Sequence, residues 1–112
     1  MSPLLGFTVF KEKILDGTKT QTIRKLRKRP IKEGDKLYLY WHLRQKDCEK
    51  LGESICTEEF IKPWGMLRES EDTAVRDGFN SKTEMREWFN KKHNFPDKTE
   101  LFQVIRWKEF PT

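Results

Sequence analysis

The stretch Lys36–His42 reads KLYLYWH, and its alternation decides the fold. Side chains of an extended chain point to opposite faces in turn, so Leu37, Leu39 and Trp41 share one face and Tyr38, Tyr40 and His42 the other. Both faces are large and largely apolar, which predicts a strand covered on both sides, as in a barrel wall with a helix outside it. Upstream, RPIKEGDK carries Pro30, Gly34 and Asp35 and reads as a turn. Before it, KTQTIR is β-prone through two threonines and an isoleucine. Phe7–Phe10 suits a short buried strand, and KEKILDG suits a short helix stopped at Gly17.

Downstream, residues 43–53 are polar and include Gly52, and read as a hairpin loop. SICTEEFIKPWGM returns as a strand that Pro63 ends or bulges. ESEDTAVRDG predicts a short helix with Ser70 as N-cap and Gly78 as its stop. SKTEMREWFNKKH places Ser81 and Glu84 in capping-box spacing and Met85, Trp88 and Phe89 on one core-facing stripe. ELFQVIRW is a closing strand. The pattern predicts an α+β fold, a small β-barrel with a few short helices packed around it, as one domain over residues 1–112.

At 112 residues one core closes, and eight Phe and four Trp must supply much of its volume, because only 35% of residues are hydrophobic against 37% charged. No apolar run reaches membrane-spanning length and the first residues lack a signal-peptide layout, which fits a cytoplasmic protein without a membrane partner. Cys48 and Cys56 fit reduced thiols. With His42 and His93 their spacing matches no familiar zinc pattern, so no metal or other cofactor is expected.

The formal charge of +5 is unevenly spread. Residues 1–50 hold 13 Lys and Arg against 6 Asp and Glu, whereas the remainder hold 10 against 12. Arg24, Lys25, Arg27, Lys28, Arg29 and Lys32 crowd into nine residues with no acid before Glu33. Such a strip reads either as a solvated face or as a set of phosphate contacts for RNA, or for DNA, with Tyr40 on the next strand able to stack a base. Lys19 and Thr22 fall on opposite faces of a regular strand. They meet only if Lys19 lies in the turn after Gly17 or the strand bends. A lysine kept neutral by burial and by Arg24 could then serve Thr22 as a base.

ILDGTKTQTIR, KEGDKLYLY, TAVRDGFNSKTEMREWF and LFQVIRW, in this order, resemble the ASCH domain family, named for homology to an activating signal cointegrator. The G-x-K-T-x-T-x-R element and the downstream A-x-x-D-G-F are the most specific parts, and the likeness runs from about Phe7 to Trp107. The resemblance implies a barrel similar to the PUA domains of RNA-modifying enzymes and a cleft lined by the K-T-x-T-x-R strand. It implies RNA or a modified nucleoside as ligand, with Lys19 and Arg24 among the contacts. Some members are nucleic-acid-binding modules, some are reported as nucleases, and a small bacterial branch hydrolyses the acetyl amide of N4-acetylcytidine. In that branch a threonine, a lysine and a glutamate act, which implies Thr22 as nucleophile, Lys19 as its base and Asp77 as proton carrier. Asp77 is a departure, one methylene shorter than glutamate, setting its carboxylate roughly 1.5 Å further back.

Overall fold

The computed structural model describes residues 4–108, so the expected domain of residues 1–112 extends beyond them at both ends. Five strands form one mixed sheet that curls into a half-barrel: β1 (Leu4–Phe7), β2 (Gln21–Lys25), β3 (Lys36–Trp41), β4 (Glu49–Pro63) and β5 (Leu101–Trp107), in the order β1-β3-β4-β5-β2. Only β1 and β3 run parallel. The 15-residue β4 carries the curl: Glu49–Ile55 pair with β3, and from Cys56 onward the strand pairs with β5. Four short helices, α1 (Lys11–Leu15), α2 (Trp64–Leu67), α3 (Glu71–Arg76) and α4 (Lys82–Lys92), complete the α+β fold. No helix among the described residues is long and apolar enough to cross a membrane.

Two cores flank the sheet. One gathers Leu5, Leu37, Leu39, Ile105 and Trp107 inside the curl. The other packs Trp64, Met85 and Phe89 of the helices against Phe102 and Val104, with the Trp64 and Phe89 rings stacked at 4.6 Å. Strand β5 lies between them, so it is buried on both faces. That position belongs to β5 and not, as KLYLYWH predicts, to β3. Tyr38 and Tyr40 stay half-buried, and the Lys36 and Lys50 ammonium groups lie over the Tyr38 ring at 5.5 and 5.1 Å, leaving the outer face of β3 polar.

Three further expectations shift. The first strand is Leu4–Phe7, and Phe10 leaves the strand for a left-handed backbone (φ 65°) before α1. The expected loop of residues 43–53 shrinks to the segment before Glu49, because Gly52 pairs with Leu39 inside β4 and Leu51 bulges into the core. Trp64–Leu67 forms α2 directly after Pro63. The helix boundaries read from caps do appear: Ser70 Oγ accepts from the Thr73 amide and Ser81 Oγ from the Glu84 amide. Gly78, at φ 104°, turns the chain out of α3, where an added Cβ would lie 2.9 Å from the Phe10 ring.

Candidate functional site

The connection from α1 to β2 keeps Lys19 outside the regular strand, its amide held by the Lys13 carbonyl at 2.9 Å. This meets the geometric condition for Lys19 and Thr22 to share a site. Both line a cavity of ≈ 330 Å³ against the free edge of β2, and so do Arg24, Lys25 and Asp77. Asp77 arrives as the C-cap of α3. The opposite wall is aromatic: Phe7, Phe10, Phe79, Trp88 and Phe89, with His93 at the end of α4. Phe10, Phe79 and Trp88 come from three separate segments and read in sequence as ordinary core.

The floor is charged and buried. Lys19 Nζ donates to the carbonyls of Gln21 (2.7 Å) and Asp77 (2.5 Å) and lies 3.4 Å from Asp77 Oδ2. Three acceptors thus stand ready for the three hydrogens of the ammonium. Thr22 Oγ1 accepts from Arg24 Nε at 3.0 Å, and Arg24 Nη2 donates to the Gly6 carbonyl at 2.6 Å. The Lys19 ammonium also sits 5.7 and 5.6 Å from the Phe7 and Phe10 ring centres.

Burial pulls the Lys19 ammonium down to about 8, against the opposing pull of Asp77. Burial likewise lowers Arg24 to about 10 and raises the Asp77 carboxyl, whose charge Lys19 partly restores. Because folded Lys19 releases its proton before the unfolded chain does, its burial cost is present below about pH 8 and is relieved as the pH approaches the unfolded value of 10.5. Urea unfolding should therefore show a midpoint that rises between about pH 8 and 10 in the wild-type chain and stays flatter in Lys19→Met. A flat wild-type profile would contradict this assignment.

A second, more open concavity adjoins the first. Arg24 and Gly6 border both, and Arg27, Arg29, Lys32 and Arg44 line the second with a single acid, Asp35. Arg44 carries no signal of its own in the sequence. It belongs to the loop after β3, and nothing local ties it to residues 24–32. The basic strip therefore splits: Lys25 faces the aromatic cavity, Lys28 lines neither concavity, and the rest form the groove. Tyr40 is half-buried on β3 and borders neither, so it is not placed to stack a base there.

Arg24 and Arg27 also have a structural part. Their guanidinium groups donate to the carbonyls of Gly6 and Leu4, spanning the opening of the half-barrel between β2 and β1. Cys48 is exposed and Cys56 buried, both as free thiols. Among the described residues no three His, Cys, Asp or Glu side chains cluster as a metal site.

No protein-family sequence model and no curated protein matches the chain. Solved structures do. An ASCH protein from Zymomonas mobilis is 17% identical with a TM-score of 0.61, over 94% of this chain and 65% of that one. An ASCH domain from Lactobacillus crispatus is 14% identical with a TM-score of 0.65, over 94% and 78%. A protein from Enterococcus faecalis of family DUF984 is 14% identical with a TM-score of 0.65, over 96% and 80%. The chain spans about two thirds of the length of the Zymomonas protein. Identities this low carry the fold, and at that level the resemblance read from the sequence is borne out.

Proposed function

Starting from the fold this chain shares with ASCH domain structures, we propose that it binds RNA. The aromatic cavity takes one unpaired base and the adjoining groove takes the phosphates beside it. The observation that carries this reading is the junction of the two concavities at Arg24 and Gly6. A planar base gains apolar area and ring stacking against Phe10, Phe79 and Trp88, and is oriented by the few polar groups of the floor. The backbone it hangs from needs cations outside the cavity, where Arg27, Arg29, Lys32 and Arg44 lie.

Fluorescence anisotropy with a short single-stranded oligoribonucleotide, its duplex and the DNA counterpart tests the proposal over rising salt. Binding should favour the single strand and weaken steadily with salt. Absence of binding at low salt, or equal affinity for the duplex, would overturn it.

Hydrolysis of the acetyl amide of N4-acetylcytidine is the second reading, favoured by the presence of Lys19, Thr22 and Asp77 around one cavity. In this arrangement the Lys19 ammonium is surrounded by protein acceptors and has no lone pair for the Thr22 proton. The Thr22 oxygen, meanwhile, accepts from Arg24. The expected result is no more acetate from the wild-type chain than from Thr22→Ala. Release that Thr22→Ala and Lys19→Ala both abolish would put the enzyme reading first.

A further inference from the structure

Asp77 is tied to the protein surface by a row of side chains across three strands. Gln21 of β2 stands directly opposite Arg106 of β5, and Arg106 stands directly opposite Glu58 of β4. The last pairing depends on a β-bulge between Cys56 and Glu58. Without the extra residue Thr57 would face Arg106 and Glu58 would point to the other side of the sheet. With it, Arg106 Nη1 donates to Glu58 Oε1 at 2.5 Å and Arg106 Nε donates to Gln21 Oε1 at 3.0 Å. Gln21 Nε2 in turn donates to the Thr73 carbonyl at 3.0 Å and reaches Asp77 Oδ1 at 3.4 Å.

The chemistry of the row leaves one polarity. Arg106 has only donors, so the Gln21 amide oxygen must face it and the amide NH2 must face Asp77. Gln21 is wholly buried, and its amide is satisfied on both sides. Reversing it would set two oxygens against each other at Asp77 and two donors against each other at Arg106, each a buried mismatch.

We propose that Gln21 and Arg106 are positioning residues of the cavity: they hold the Asp77 carboxylate toward Lys19 and link the charge of the cavity floor to Glu58 at the surface. The inference rests on the binding reading only in treating the cavity as a ligand site. The other charged groups around Asp77 are Lys19 before β2, Arg24 on β2, and Lys13 of α1, whose Nζ donates to the Gly78 carbonyl. Helix α4 contributes His93 to the aromatic wall and Lys92 to its rim. None of these touches Gln21 Oε1, so Arg106 holds the oxygen of the amide while the Thr73 carbonyl holds its NH2.

Carbon-13 NMR titration of the Asp77 carboxyl in the full, ligand-free chain, assigned with Asp77→Asn, tests this directly. Arg106→Met removes the donor to the Gln21 oxygen and should raise the Asp77 midpoint by about one unit, because the Gln21 NH2 is then held less firmly against the carboxylate. Arg106→Lys keeps a cationic donor and should return the midpoint most of the way. Gln21→Met, which removes the donor with no change of charge, should shift it in the same direction as Arg106→Met. A midpoint unchanged in both Arg106→Met and Gln21→Met, or shifted equally by Arg106→Met and Arg106→Lys, would overturn the proposal. Failure of RNA to bind the wild-type chain would remove the binding reading and leave the titration result standing.

Discussion

Replacing Asp77 by alanine should cost about 3–5 kcal/mol of stability near neutral pH, because it leaves the buried Lys19 ammonium without its anion and the half-buried Arg24 without the opposing charge nearby. The two sides of the pair are not equivalent. Lys19→Met leaves Asp77 with Arg24 nearby and should cost less than Asp77→Ala. The double variant Lys19→Met with Asp77→Leu removes both partners together and should recover much of the loss, as apolar replacements of buried pairs do. Loss of a proton offers the single variant a partial escape. Without Asp77 the Lys19 ammonium falls below its already lowered value, so the penalty should be larger at about pH 6 than at about pH 9. Urea unfolding of the four proteins at both pH values measures all of this, and equal losses for the two single variants, independent of pH, would refute the account.

The second large effect concerns the groove. Arg29→Glu with Lys32→Glu should weaken single-stranded RNA binding about 100-fold at low salt and reduce the salt slope by about 0.7 for each phosphate no longer neutralised. These two side chains border the groove without serving the sheet. Reversal of Lys28, which is exposed and borders neither concavity, is the control for either reversal made singly. It adds the same kind of charge to the same strip but should change affinity far less. Equal weakening by Lys28→Glu would show that net charge, and not the groove, recruits RNA.

Elements whose signals are local are legible in the sequence itself. Ser70 and Ser81 cap α3 and α4 where their hydroxyls fall along the chain, and Gly17 and Gly78 stop helices at the expected places. The segment Gly17–Arg24 is recognisable as a unit because four of its residues, Lys19, Thr22, Ile23 and Arg24, line the cavity from one short stretch. The aromatic wall is not, since Phe10, Phe79 and Trp88 meet only through tertiary packing and each looks like core on its own. The length of β4 is hidden by Gly52 and by two bulges, which break the period-2 pattern that marks a strand. The same irregularity hides the row from Gln21 to Glu58, because alternation alone puts Glu58 on the wrong face. Asp77 is marked by family resemblance and not by spacing, since a carboxylate beside a helix-ending glycine is ordinary capping chemistry.

The two arginines that reach from β2 and the loop after it to the carbonyls of Leu4 and Gly6 bear on self-association as well. An edge strand with free carbonyls is a template for another copy of the chain. On β1 those acceptors are already occupied by guanidinium groups, and the positive charge they bring repels a second, equally basic molecule. Under the proposed RNA reading, the side chains that would meet a polyanion are thus also the ones that occupy the outward carbonyls of the β1 edge.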